Sequence, residues 1–452
     1  MTQQPSATAP LTDLAAGLSS ETVDTLAKLT GEPAWATQLR RAGWDAFQRI
    51  PMPTTKDEVW RRTDLTGLKL ESVAPYAAPG YRATDPASLP EEIRKLFQDS
   101  DGRAGLVVQH NSRAVYSELS AELAAKGVIY TDLETAMREH PDLVREHLYS
   151  VVPIDDNKFT ALHAALMTSG TFLYVPTGVT IETPLLSSVW ADIAQLGIFN
   201  HTLVVVESGA DVTLIDQLAS PTLEGQAVHS GVVEIVVKQG ARARYINLQE
   251  WGRQYWSFSM QRARVHRDAT FNSLIVAFGG RLTRNGVETA LVEPNANTEM
   301  LGLLFGDKRQ HFDHHTIQDH LAPHTTSDLL YKDALTDRAR SVFTGLIRAH
   351  KKAQRTDAIQ TNRNLLLSDN ARADSIPTLE ILTNDLRCTH AATIAPIEEE
   401  QIFYLQARGM SRTEAIFLIV QGFFEPLLER ITLPGVRERL RATIAEKMNV
   451  QG

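Results

Sequence analysis

HTLVVVESGADVTLID (201–216), SGVVEIVVKQGARARYINLQ (230–249) and ATFNSLIVAFGG (269–280) follow one another in a 452-residue chain, with little between them. Each is a short apolar run rich in β-branched residues, punctuated by Gly, Asn or Asp. That texture predicts strands of roughly five to eight residues without intervening helix. One signal recurs through the region: a small turn-forming residue, then alanine, then an alternating strand. It appears as GADVTLI, GARARYI, DATFNSL, NANTEML, RARSVFT and NARADSI. The alanines are Ala210, Ala241, Ala269, Ala296, Ala339 and Ala371, separated by 31, 28, 27, 43 and 32 residues. A near-constant spacing of this kind marks a repeat, and a repeat of strand–turn–strand predicts a β-solenoid whose stacked coils bury a continuous interior. A β-sandwich is the rival, but it needs no period, so the spacing favours the solenoid. The long gap between Ala296 and Ala339 reads as an insertion, DKRQHFDHHTIQDHLAPHTTSDLLYKD (307–333).

Helical spacing flanks this β region. Residues 1–10 read as disordered, and from Leu11 to Ser150 the pattern is mostly helical, as in SSETVDTLAKL, WATQLRRAGWDAFQRI and SLPEEIRKLFQDS. TDLETAMREHPDLVREHL predicts two short helices split by Pro141. The change to strand texture is placed at about Phe159. Beyond Pro396, EEEQIFYLQARGMSRTEAIFLIVQGFFEPLLERI predicts two helices broken at Gly409, the second capped by Ser411, and PGVRERLRATIAEKMN predicts a last one. The expected division is a helical part over 1–150, a β core over 151–395 and a helical part over 396–452.

Composition narrows the function classes. A formal net charge of −9 argues against a general nucleic-acid binder, whose footprint would be basic. The basic run RAHKKAQR (348–355) is short and reads as a solvated face. One cysteine excludes an internal disulfide framework and points to the cytosol. The N-terminus shows no secretory signal, and the best apolar run, AIFLIVQGFF (415–424), is too short to span a bilayer.

The chemistry-bearing residues are few. Cys388 stands two residues before His390, so on a strand the thiol and imidazole share a face. They are two ligands of the about four that a closed metal site or an iron–sulfur cluster requires, so the others must come from elsewhere, including another chain. A lone cysteine is more often a small buried hydrophobe. The expected insertion holds His311, His314, His315, His320 and His324 with Asp313 and Asp319, a cluster that invites a metal-dependent β-helical enzyme as the alternative reading. His314 and His315 are adjacent, however, and would face opposite sides of a strand. Asp211, Asp216 and Glu234 are the acids a carbohydrate-active solenoid would use. GxxxxGK[ST], GxSxG, HExxH and CxxC are all absent, so no phosphate-cradling loop, nucleophile elbow or zinc helix is predicted.

An ordered set of motifs resembles the SufB/SufD family, the scaffold subunits of the SUF iron–sulfur cluster assembly machine. The motifs are EVWRRTDL (58–65), YKD (331–333), FTGLI (343–347), QTNRNLLLS (360–368), P-x-LEI (377–381), CTHAAT (388–393) and EEQIFYLQARG (399–409), which together span nearly the whole chain. Cys-x-His before Ala-x-Thr, and the scarcity of cysteine, resemble the SufD-like form. The resemblance implies a central right-handed parallel β-helix between helical domains and a non-catalytic scaffold role. It implies a SufB-like partner docking through the β-helix, and a SufC-like ATPase docking on the helices from about Glu398 to Arg430. His390, and less strongly Cys388, would then take part in forming a transient cluster shared with the SufB-like subunit. Nucleotide would bind the ATPase and not this chain. Reduced flavin in the complex and a homodimer formed when the partner is scarce remain open on the same ground.

Overall fold

The computed structural model describes residues 17–97 and 102–449; the disorder expected of residues 1–10 lies outside them. Two ten-stranded sheets dominate it. From Asn200 onward the chain lays strands alternately in the two sheets, and each, up to the two terminal ones, pairs in parallel with the strand one coil before and one coil after. A parallel partner one coil away, reached without a crossover helix, is the connectivity of a β-solenoid.

The turn–alanine signal has a plain cause. Gly209, Gly240, Asp268 and Asn295 take left-handed φ angles of +70°, +68°, +57° and +63°. Such a conformation favours Gly, Asn and Asp. The alanines that follow, Ala210, Ala241, Ala269 and Ala296, are buried where the chain turns the corner, with no room for a larger side chain.

Segment 307–333 is not an insertion. It forms two ordinary coil strands, His311–His320 in one sheet and Thr326–Leu335 in the other. In register, Thr326 follows Asn297, so Thr325 takes the place of Ala296 in the first sheet, 29 residues on. Arg340 follows His311, so Ala339 takes the place of Gln310 in the second sheet. The alanine marker therefore crosses from one sheet to the other, and the 43-residue gap is one coil and a half.

The N-terminal part departs from the helical reading. Helices Ser20–Thr30, Ala34–Arg49, Leu133–Glu139 and Pro141–His147 are present as read. Between them, Gly105–His110 and Arg113–Leu119 form an antiparallel hairpin whose first strand pairs in parallel with Leu185–Trp190. Ile129–Asp132 likewise extends the second sheet, beside Ser169–Val175. The start of strand texture also shifts, because Lys158–Leu166 is a helix capped by Asn157. Every residue from Phe159 to Leu166 is buried, between the solenoid and helix Ala34–Arg49. A helix that is apolar all round lacks the amphipathic period by which it would be recognised.

Helices Glu399–Gln406, Arg412–Leu428 and Pro434–Asn449 return along the outer face of the first sheet. Val420, Phe424, Leu427 and Leu428 pack there with Leu301, Leu303 and Leu330. The ammonium of Lys332, on strand Thr326–Leu335, donates to the Phe423 carbonyl and fixes the helix that Pro426 interrupts. Burial, with Arg363 and Arg430 nearby, pushes the Lys332 ammonium down to about 8.

Candidate functional site

The solenoid ends in strands Arg372–Ile381 and Leu386–Pro396, one at the edge of each sheet. Among the described residues, Leu386–Pro396 pairs only with Thr356–Leu366, in register Ala358–Cys388, Gln360–His390 and Asn364–Ile394. Ala358, Gln360, Asn362 and Asn364 are buried and face the interior. Parallel in-register neighbours share a face, so Cys388, His390, Ala392 and Ile394 lie on the interior side of the last coil. Leu379 and Ile381 lie on the interior side opposite, in register with Ile347 and Ala349.

That interior side is open. Leu379, Ile381 and Ile394 are 37%, 38% and 44% exposed, whereas the in-register Ile347 and Ala349 one coil earlier are fully buried. A solenoid buries each coil under the next, and here no further coil follows. The solenoid thus ends in an apolar sheet face whose edges no described strand pairs, carrying one thiol and one imidazole. Such an edge is a template for pairing with another chain unless something covers it.

The two predicted ligands do share a face. Cys388 is half-buried and His390 exposed. Burial raises the Cys388 thiol above its ordinary range. The thiolate is the nucleophile and metal ligand, so in the isolated chain Cys388 is a reluctant donor at neutral pH. We expect iodoacetamide to alkylate it at pH 7 more slowly than a free thiol, the rate climbing as pH rises through the raised pKa. A rate already at its plateau at pH 7 would contradict this. Among the described residues, no group of three or more His, Cys, Asp or Glu side chains is placed to hold a metal ion.

The histidines of 311–324 are dispersed. His314 and His320 point into the solenoid with Phe312, while His311 and His315 lie on the outer face with Asp313. His324 occupies a left-handed turn, with φ of +60°, where the four preceding coils have Gly209, Gly240, Asp268 and Asn295 and the next has Arg355. The metal-enzyme reading therefore finds no convergence of ligands here. Nor do the three candidate sugar-hydrolysing acids meet. Asp211 pairs with Arg244 at 2.9 Å, Asp216 is held inside by Thr202 and Tyr245, and Glu234 lies under the 149–152 segment on the far side of the second sheet.

Reading the sequence for ligands overlooked the polar interior behind the open end. Gln360, Asn362 and Asn364 alternate along one strand and face inward. Nearby, Tyr331 Oη, both ring nitrogens of His314, Asp333 Oδ1, Gln360 Oε1 and Asn362 Nδ2 are buried without a hydrogen-bond partner. Burial pushes the Asp333 carboxyl up to about 7, against a hydrogen bond from Ser341. Unpaired buried polar atoms at this density are places for ordered water or a polar ligand. QTNRN (360–364) is polar at every position, so the sequence did not say which three residues would face inward.

A second exposed surface lies on the returning helices. Ile402 is buried, but Phe403 and Tyr404 are 71% and 56% exposed, with Arg408 stacked 4.5 Å over the Tyr404 ring. Leu418 is also exposed, on helix Arg412–Leu428, whose N-cap Ser411 forms a capping box with Glu414. The apolar residues of these helices thus divide into a face packed on the solenoid and a face left bare.

Known proteins resemble the chain throughout. Residues 189–423 match the family described as "SUF system FeS cluster assembly, SufBD core domain", and residues 28–186 match the "SufBD protein N-terminal region". Among curated relatives, the iron–sulfur cluster assembly protein SufB of Bacillus subtilis is 31% identical, over 92% of this chain and 90% of its own length. An iron–sulfur cluster assembly SufBD family protein of Staphylococcus epidermidis is 30% identical over the same shares, and one of Staphylococcus aureus is 29% identical.

Proposed function

The chain belongs to the SufBD family of the SUF iron–sulfur cluster assembly system, and from that premise we propose that it is a SufD-like scaffold subunit. It contributes an incomplete ligand set to a cluster that forms against a SufB-like partner. The cluster is the complex's cargo and no resident cofactor of this chain. The observation that carries the reading is the uncovered last coil: an apolar face that needs a partner, with Cys388 and His390 on it. The choice of SufD over SufB rests on the single cysteine and on the Cys-Thr-His form of the terminal strand. The name of the Bacillus subtilis relative bears on the family and leaves that choice to experiment.

In this reading the N-terminal part to residue 150 braces the solenoid, 151–395 supplies the partner face, and 396–452 carries the ATPase dock. The bare Phe403, Tyr404 and Leu418 support a SufC-like ATPase binding there, since exposed aromatic side chains beside Arg are the usual anchors of an interface. ATP chemistry would then reside in that partner, and the chain would work in the cytoplasm. Reduced flavin, where the complex uses it, would be bound jointly, and pairing of two copies through the same open coil is the outcome when the SufB-like partner is absent.

The test is reconstitution of the complex with His390→Ala. His390 is exposed, so its loss costs the fold little. Cluster yield is expected to fall about tenfold, as found when a ligand or its close support is lost, while co-purification with both partners persists. Undiminished cluster formation removes His390 from the site. Failure of the wild-type chain to associate with either partner removes the scaffold reading itself.

A further inference from the structure

The outer face of the second sheet holds a cleft of about 370 Å³ that cluster assembly leaves unused. Its walls are Trp60 and the stacked rings of Phe159 and Phe258, 3.6 Å apart and 6° from parallel. Met260, Leu346 and His315 complete it. Two features shape the space. In register, Gly286 lies between Met260 and His315, and the flexible Met260 thioether lies over the position where a Cβ would stand. The turn at 58–60 lays Trp60 across the rim, where the Arg284 guanidinium stacks 3.8 Å over the indole and donates to the Val59 carbonyl at 3.0 Å.

His315 is one of several polar groups lining this cleft; Asp156 and Glu288 are paired with Arg262, and Arg284 with Asp313. Its Nε2 lies 3.0 Å from Asp313 Oδ1, at an angle too oblique for a full hydrogen bond. Asp313 is itself buried against Arg284 and the Thr63 hydroxyl. Burial alone would raise the Asp313 carboxyl, but Arg284, His315 and Thr63 outweigh it and hold it well below the usual carboxylate range. A fixed anion beside Nε2 favours the tautomer with its proton there, leaving Nδ1 as an acceptor. Nδ1 has no partner among the described residues. An oriented imidazole with one free acceptor, set among aromatic walls in a space of small-molecule size, is a built recognition site.

We propose that this cleft binds a small aromatic molecule bearing an O–H or N–H donor, its ring against Trp60 and Phe258 and its donor on His315 Nδ1. The molecule is of phenol class in size and chemistry. The site is independent of the open last coil, and its occupancy does not depend on the scaffold role.

The test uses the full chain labelled with 5-fluorotryptophan and titrated with 4-methylphenol. The chain has six tryptophans, so Trp60→Phe assigns the reporting ¹⁹F signal. A saturable shift of the Trp60 signal is expected. Toluene, which has the ring without the donor, is expected to bind about tenfold more weakly, the worth of one hydrogen bond whose loss leaves an acceptor unpaired. His315→Phe should erase the difference between the two probes. Leu346→Trp, which fills the cleft, should abolish both. Melting curves of the two variants report whether each has folded. No saturable shift at Trp60, equal affinity for both probes in the wild type, or undiminished binding in folded Leu346→Trp would each overturn the proposal.

Discussion

Replacing Glu234 with alanine is expected to cost about 3–5 kcal/mol, the range for removing one member of a buried charged network. The side chain is completely buried on strand Ala227–Val237. Its two oxygens accept the backbone N–H groups of Tyr149 at 2.5 Å, Val151 at 2.6 Å and Val152 at 2.9 Å, and His201 Nε2 lies 3.1 Å away. Tyr149 sits at a φ of +56°, which a bulky residue adopts only when its surroundings demand it. The phenol holds it there, bonding His163 Nδ1 at 2.7 Å, while His163 Nε2 reaches the Asn200 carbonyl at 3.1 Å. Alanine would strand three backbone donors and a histidine at once, and a water entering the void left behind brings no charge to match the carboxylate. Glutamine keeps the shape but turns an NH₂ toward backbone donors, so it should fall between. Thermal denaturation is the measurement, with a melting temperature lowered by about 5 °C or more. Proteolysis should begin in the 149–157 segment. A Glu234→Ala chain that melts with the wild type and resists protease would show that this network does not hold the N-terminal part in place.

Ile394→Asp is expected to weaken association with a SufB-like partner at least about a hundredfold, some 2.7 kcal/mol. Ile394 is 44% exposed, on the interior side of a coil that no described residue covers. In the free chain, aspartate there is solvated and costs little. In a complex whose partner continues the solenoid face, the same carboxylate is buried without a counter-charge. The asymmetry separates a docking face from mere frayed structure: stability is retained and binding is lost. Size-exclusion chromatography of wild type and variant with the partner reads the binding, and thermal denaturation reads the fold. Equal association by both proteins would place the interface elsewhere.

Much of the architecture was legible because its cause is local. In the first sheet a left-handed residue followed by alanine marks four successive corners, at 209–210, 240–241, 268–269 and 295–296. The same rule misled at 296–339. Thr325 and Gln310 fill two corners without alanine, so a marker read as one series was two interleaved series, one per sheet. Hairpin 105–119 went unread because its turn, Asn111 at a φ of +54° followed by Ser112, lacks the glycine that usually announces one. Helix Lys158–Leu166 went unread because burial on every side erases the polar face that gives a helix its period. Of the candidate site, the shared face of Cys388 and His390 follows from strand alternation alone. Their exposure does not.

The sequence by itself determined the repeat, the strand texture of the core, the breaks at Pro141, Gly409 and Ser411, and the family. Each is written in residues near one another along the chain or in motifs of fixed order. Only the tertiary structure decided that the five histidines of 311–324 scatter to two faces and a turn, that Asp216 and Glu234 lie on different sides of a sheet, and that the last coil is left open. Those outcomes depend on which residues stack across coils about 30 positions apart, and stacking register is a property of the folded solenoid that no single segment carries.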